Sequence, residues 1–286
     1  MGASNQIKTV LLLGVLTGIF LAIGYFLGGR LGILIALIFA GGMNFFSYWF
    51  SDKIVLAIYR AKEAGRSEHK KLYEMVQDIT IRAKLPMPKI YIIPTHHPNA
   101  FATGRNYKHA AVACTEGILG LLNDHELKGV IAHELAHVKN RDILISSIAA
   151  TIAGVISYLA MMARWGAIFG GFGGRDNDSG GLIELLVLAI VAPLMAMIIQ
   201  LAISRSREYH ADETGARFLH DASGLASALE KLKQGIKKAP LKAQGTTEAT
   251  SHLFIESPFS GGGLLKIFST HPPTEERVKR LRSLRF

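Results

Sequence analysis

Cysteine is almost absent from this sequence: Cys114 is the single one among 286 residues. The chain therefore forms no internal disulfide and offers no Cys-based zinc site. RNP-like, zinc-finger and helix-turn-helix patterns are also absent, so the formal net charge of +10 does not indicate a nucleic-acid partner.

Charged side chains are missing from four stretches, residues 9–29, 31–51, 143–163 and 185–204. Each stretch supplies about 20 mainly apolar residues, the length that a helix needs to cross ~30 Å of hydrocarbon. The whole chain is 49% hydrophobic with a mean hydropathy of +0.27, which is more apolar than a typical soluble domain. The sequence predicts four transmembrane helices in two pairs, with the lipid bilayer as a partner.

An even number of spans places both termini and both polar segments on one side of the membrane. Lys and Arg are concentrated in these polar segments, which indicates that this side is cytoplasmic. We expect a transmembrane hairpin (1–51), a first cytoplasmic part (52–142), a transmembrane pair with a glycine-rich external loop (143–204) and a second cytoplasmic part (205–286).

The first cytoplasmic part has the patterns of an α+β domain. Apolar residues between Lys70 and Lys84, including Ile79 and Ile81, approximate one face of a helix that ends before Pro86. The runs "KIYIIP" and "HAAVACT" predict two strands, separated by turn residues around a short extended piece. A small β-sheet is therefore expected.

The stretch "GVIAHELAHVKNRD" (129–142) contains an H-E-x-x-H pattern on a predicted helix that begins near Asn123 or Asp124. Side chains four residues apart share a helix face, so His133 and His137 can bind one metal ion while Glu134 lies beside it. In this arrangement the two histidines bind zinc and the glutamate is a general base.

A catalytic zinc site needs a third protein ligand, and no glycine and histidine follow His137 at the spacing of a metzincin. Glu208, in "SRSREYHADE" (204–213), is favoured because it directly follows the fourth predicted span. Asp212 lies one turn further on the same face, suited to receive the second N–H of a ligating histidine. The open alternatives are other histidines: His109, His125, His210, which points to another face, and His271.

Four motifs in order, "PNAFATG", "GVIAHELAHVKNRD", "SRSREYHAD" and "FSTHPPTEERV", resemble the HtpX family of bacterial membrane zinc endopeptidases, which are related to the CAAX prenyl proteases. The resemblance implies a mainly α membrane protein with a zincin-like, gluzincin-type domain. It implies one Zn²⁺ per chain held by His133, His137 and Glu208, with Glu134 as catalytic base. It further implies that substrate lies along Asn99, Ala100, Phe101 and Ala102 as an added strand, and that His271 lies near the cleft, where it can hydrogen-bond the oxyanion.

The expected function is a zinc endopeptidase of the bacterial cell membrane that cleaves damaged or misfolded membrane proteins at the cytoplasmic face, in quality control or stress response. Autocleavage is also implied by the resemblance. One alternative is a prenyl-protein-type peptidase of narrow specificity, although more membrane helices would be expected around its site. Another is a zinc-bearing scaffold or transporter, which the absence of ionisable residues within the spans disfavours.

Overall fold

A computed structural model describes residues 2–149, 205–238, 253–255 and 272–286 of the chain. Helix α1 (Gly2–Ile58) is broken by non-helical backbone at Gly28 and Gly29, where φ is −147° and +56°. The positive φ at Gly29 is readily adopted only without a side chain, and it lets the helix reverse direction where the sequence predicts a tight turn. Asn44 Nδ2 donates a 2.8 Å hydrogen bond to Thr17 Oγ1 of the other arm, so a polar pair ties the hairpin together.

The second arm of α1, Gly28–Ile58, is 31 residues long and contains an 18-residue stretch with a mean hydropathy of 1.8, of which 17% is buried. Its length and composition therefore suit a membrane span. It is one such helix in the part of the chain that the structure describes. Residues 143–149 begin a further helix, and the rest of the predicted spans at 143–163 and 185–204 lies outside the described residues.

A mixed four-stranded sheet follows the hairpin. Its strands are β1 (Lys62–Glu63), β2 (Lys89–Ile93), β3 (Ala100–Gly104) and β4 (Ala110–Thr115). Their order is β1-β2-β4-β3; β2 runs parallel to β4, whereas β3 is antiparallel to β4. Both predicted strands are confirmed, and the extended piece between them forms β3 at the edge of the sheet.

Helices pack against this sheet around a common core. They are α2 (Lys70–Ala83), α3 (Glu116–Leu121), α4 (Asp124–Asn140), α5 (Arg205–Leu219), α6 (Ser223–Lys238) and α7 (Thr274–Ser283). Helix α4 is central, since it contacts α2, α5, α6 and β3, and its Val130 and Ile131 are fully buried. One detail of the sequence analysis is wrong: Ile81 is 70% exposed, because α2 turns Thr80 rather than Ile81 into the core.

Candidate metal centre

Helix α4 carries the H-E-x-x-H residues and begins at a well-defined cap. The Asn123 side chain accepts from the backbone N–H of Glu126, and the Glu126 carboxylate accepts from the N–H of Asn123, which completes a capping box. His133 and His137 lie on the same face one turn apart, because they are four residues apart on a continuous helix. Their ring centroids are 4.8 Å apart.

Three side chains of the metal-binding type converge on one point beside that face. His133 Nε2 lies 3.3 Å from His137 Nε2. Glu208 Oε2 lies 3.7 Å from His133 Nε2, and its Oε1 lies 3.6 Å from His137 Nε2. Two ligands held at ~2.0–2.1 Å from a tetrahedral zinc ion are separated by about 3.3–3.4 Å, so two nitrogens and a carboxylate at these distances fit such an ion. Among the described residues, this trio stands out as a group able to hold a metal.

Glu208 reaches the trio because α5 packs very closely on α4. Gly215 of α5 faces the backbone of α4, and a Cβ placed on it would lie 2.8 Å from the amide nitrogen of His133. A side chain at this position would therefore force the two helices apart. Glu208 and Asp212 share the face of α5 that approaches α4, as the i, i+4 spacing predicts.

Asp212 supports His133 from behind. Its Oδ1 lies 2.9 Å from His133 Nδ1, which leaves Nε2 facing Glu208 and His137. Arg277 of α7 is fully buried, and its Nε and Nη2 donate to both oxygens of Asp212 at 2.9 and 2.7 Å. Burial alone would raise the pKa of Asp212, but the Arg277 guanidinium outweighs it and lowers the pKa to about 2. The carboxylate is therefore held ionised.

Asp142 has the corresponding place beside His137. Its Oδ2 lies 3.2 Å from His137 Nδ1. Burial would lower the pKa of His137, but the carboxylates of Glu208 and Asp142 raise it to about 9. Local sequence patterns indicated no role for Asp142 or Arg277. Both belong to motifs quoted above, yet the contact of Arg277 with Asp212 spans 65 residues of sequence and has no local signal.

Glu134 is buried and is anchored to the edge strand. Its Oε2 accepts a 2.9 Å hydrogen bond from the backbone N–H of Ala102 in β3. Burial raises the pKa of Glu134; the two imidazoles and the Ala102 N–H act in the opposite direction, and the Glu208 charge adds to the rise. A raised pKa makes the carboxylate a better proton acceptor, as a general base requires.

A narrow cavity opens beside these groups, bounded by β3, α4, α5 and the segment 253–255. Asn99 is buried and holds this segment in place: its Oδ1 accepts from the N–H of Ile255 at 3.1 Å, and its Nδ2 donates to the carbonyl of Leu253 at 3.5 Å. Arg207 also lines the cavity, and its buried Nη1 has no hydrogen-bond partner among the described residues.

The other histidines considered as the third ligand either lie away from the trio or fall outside the described residues. His109 contacts Asn106 and Arg105, and His125 contacts Asp221. His210 lies on α5 but does not join the trio. His271 is outside the described residues.

Comparisons with known proteins agree with this geometry. The model of peptidase family M48 matches residues 66–285. The chain is 57% identical over 282 residues to the protein named Protease HtpX homolog of Desulfatibacillum aliphaticivorans, covering 98% of this chain and 90% of the relative. For the protein of the same name from Syntrophotalea carbinolica, identity is 56% over 280 residues, covering 98% and 99%.

A solved structure has a similar fold. The crystal structure of S. mikatae Ste24p matches with a TM-score of 0.51 at 18% identity, covering 98% of this chain and 66% of that chain. At this identity the likeness concerns the fold alone.

Proposed function

We propose, on the premise that the chain belongs to peptidase family M48 and is a membrane metalloprotease, that the cavity beside α4 is its active site. We further propose that the metal is zinc. His133, His137 and Glu208 bind one Zn²⁺ per chain. The observation that carries this assignment is the spacing of their donor atoms, 3.3 to 3.7 Å. Two imidazoles and a carboxylate are also a common ligand set of catalytic zinc sites, which leave one position open.

When bound, zinc supplies a Lewis acid that polarises the peptide carbonyl and makes water more acidic. Side chains of the protein carry out the remaining steps. Glu134 accepts a proton from the attacking water and afterwards donates it to the leaving amine nitrogen. Asp212 and Asp142 orient the two imidazoles through their Nδ1 atoms, so that both Nε2 atoms face the same point.

Substrate binds as an added strand along β3, which is the edge of the sheet. The N–H groups of Ala102 and Gly104 point away from β4, because they donate to Glu134 and to Ser147 Oγ. By the two-residue period of a strand, the N–H of Ala100 points the same way. Phe101 and Ala102 line the cavity, Ala100 is fully buried beside them, and Asn99 acts by fixing the segment 253–255.

Arg207 is the described residue best placed to stabilise negative charge on the substrate. Its unpartnered Nη1 is a donor at the cavity wall, close to the carboxylates of Asp142 and Glu208. We assign it to the carbonyl oxygen that becomes an oxyanion during attack. His271 remains a candidate for the same task.

The setting of the reaction follows from the hydropathy and charge pattern. We propose four spans, at 9–29, 31–51, 143–163 and 185–204, with both termini and the active site in the cytoplasm. Unfolded or damaged membrane proteins are the proposed substrates, because strand addition requires an extended segment. Nucleic acid is not among the proposed partners.

The test combines metal analysis with cleavage of an unfolded protein such as casein, using the full chain in detergent. Glu134→Gln should keep zinc and lose about 10²–10⁴-fold in turnover, the usual contribution of a general base. Glu208→Ala should lose zinc and activity together. Glu213→Ala, an exposed position on the same helix, is the matched control and should change neither. Normal turnover by Glu134→Gln, or full zinc content in Glu208→Ala, contradicts the assignment.

A further inference from the structure

A second cavity, of about 410 Å³, lies where the second arm of α1 meets the turn after β3. Aromatic and charged side chains share its wall, and they are Phe45, Trp49, Phe50, Asp52, Lys53, Arg105 and His109. It is separate from the metal centre, since none of its residues lines the cavity beside α4.

The position of this cavity along α1 corresponds to the boundary of a membrane. No charged residue occurs in 31–51, and Asp52 and Lys53 follow at once. Just before them, Phe45 and Trp49 are 60% and 42% exposed among the described residues. Exposed Trp and Phe at the end of an apolar helix are typical of the interface between acyl chains and headgroups.

Two basic side chains, Arg105 and Lys53, lie at the polar end of the cavity. The Arg105 guanidinium lies 4.4 Å above the Trp49 ring, and the exposed Lys53 Nζ lies 5.3 Å from the centre of the Phe50 ring. Neither cation forms an ion pair with a carboxylate in the described ranges of the chain. Asp52 is the acidic residue in the wall, so the two cations leave a positive excess.

Arg105 keeps donors available for a ligand. Its Nη2 lies 3.0 Å from His109 Nε2, while His109 Nδ1 lies 2.9 Å from Asn106 Oδ1. An amide oxygen only accepts, so the His109 proton is on Nδ1 and Nε2 accepts from Arg105. This contact uses one of the five N–H groups of the guanidinium and fixes its plane over Trp49.

We propose that this cavity binds the headgroup of an anionic phospholipid. Arg105 and Lys53 hold the phosphate groups, and Phe45 and Trp49 contact the glycerol and the first part of the acyl chains. The proposal deepens the proposed function and rests on the span assigned to 31–51.

The site also reaches the proposed substrate strand. Arg105 directly follows Gly104, the last residue of β3, whose φ is +144° and where a Cβ would lie 2.3 Å from the carbonyl oxygen of His109. This crowded turn couples Arg105 to β3, and Ala102 of β3 contacts Glu134. A bound headgroup therefore anchors one end of the strand beside the catalytic base, and cleavage is expected to increase with anionic lipid.

The test measures lipid contact without relying on proteolysis. A full-length Trp165→Phe protein retains Trp49 as its one tryptophan. It is reconstituted into phosphatidylcholine vesicles that contain brominated phosphatidylglycerol or brominated phosphatidylcholine at equal fractions. We expect stronger quenching of Trp49 by the brominated anionic lipid. In the double variant Lys53→Gln/Arg105→Gln, the ratio of quenching by the anionic lipid to quenching by phosphatidylcholine should fall by about fivefold or more. This is the size of effect expected when basic side chains near an anionic surface are removed.

A matched control separates this site from general attraction. Arg66→Gln/Lys71→Gln removes the same charge elsewhere, including an Arg stacked on Tyr73, and should keep the preference. Arg105→Lys retains the charge and should keep most of the preference for the anionic lipid. This result would show that loss of charge, rather than misfolding, explains the double variant. Equal quenching by both lipids, no quenching by either, or an equal loss in the control variant overturns the proposal. Native mass spectrometry gives a further check. The proposal is also overturned if the parent protein, but not the double variant, releases a bound polypeptide instead of a phospholipid.

Discussion

The backbone N–H of Ala102 donates a 2.9 Å hydrogen bond to Oε2 of Glu134. One strand thus connects the carboxylate proposed as the catalytic base to the edge where substrate is proposed to bind. The bond lowers the pKa of Glu134 against the effect of burial, which raises it. Small changes in β3 should therefore change the acid–base behaviour of the enzyme as well as its substrate affinity.

Ala102→Pro removes this N–H, and its ring carbon also displaces the Glu134 carboxylate, which lies 2.9 Å from the nitrogen. The ladder to β4 keeps its hydrogen bonds, because the N–H points away from that strand. With one lowering influence lost, the pKa of Glu134 rises, and the acid limb of the kcat/KM profile should move to higher pH. Ala100→Pro is the matched control, since it removes an outward N–H that does not contact Glu134. It should leave the acid limb in place. Identical profiles for both variants would contradict this link.

Arg207→Met tests the donor at the cavity wall. We expect kcat to fall by about 10²-fold with zinc retained, as is typical when one oxyanion donor is removed. Arg217→Met, on the exposed side of α5, should behave as the parent. Steady-state peptide cleavage and metal analysis distinguish the cases. Loss of zinc together with turnover would show instead that Arg207 balances the charges of Glu208 and Asp142.

Gly215→Ala tests how the close approach of α5 and α4 sets the spacing of the ligands. The added methyl group meets backbone atoms of Ala132 and His133, which cannot rotate away. We expect weaker zinc binding in chelator competition and a loss of about 1–3 kcal/mol in stability. Gly120→Ala should not do this, because no atom lies within 4 Å of a Cβ at that position. Unchanged zinc affinity in Gly215→Ala would argue against a fixed distance between the helices.

Glu126→Gln tests the cap of α4 through pH. Burial would raise the pKa of Glu126, but hydrogen bonds from Lys231, Ser227 and Asn123 lower it overall. Its contribution to stability is therefore fully present above the ordinary glutamate pKa of about 4.3 and is lost as pH falls through the lower folded-state value.

At neutral pH the variant should be about 1–3 kcal/mol less stable than the parent, since hydrogen bonds to a buried, charged carboxylate become bonds to a neutral amide. The difference should narrow below about pH 4, in the range where the parent carboxylate becomes protonated. Thermal unfolding followed by circular dichroism in detergent measures it. Glu74→Gln, on an exposed ion pair, is the control. A difference that stays constant with pH would count against the ionised network.

Local patterns predicted the parts of the fold that local chemistry determines. The capped helix α4, the two strands and the H-E-x-x-H face follow from capping residues and periodicity within a few positions. The i, i+4 spacing of Glu208 and Asp212 was also visible once the fourth span was placed. These features need no knowledge of distant contacts.

Long-range contacts account for what the sequence did not reveal. The charge that holds Asp212 comes from Arg277, and Asn99 fixes residues more than 150 positions away. Ile81 was misplaced because two hydrophobic positions only two residues apart cannot both face one core on a helix. The spacing of Leu72, Val76 and Ile79 already places Ile79 on the buried face, and Ile81 is turned away from it.

The metal-binding trio is divided in sequence, with two histidines on α4 and the glutamate on α5, beyond residues 143–204. A ribosome that has translated as far as residue 204 has therefore made the histidines without their carboxylate partner. With the metal held as proposed, the nascent polypeptide cannot cleave peptide bonds at this stage. Proteolysis then begins only after α5 has emerged and folded against α4.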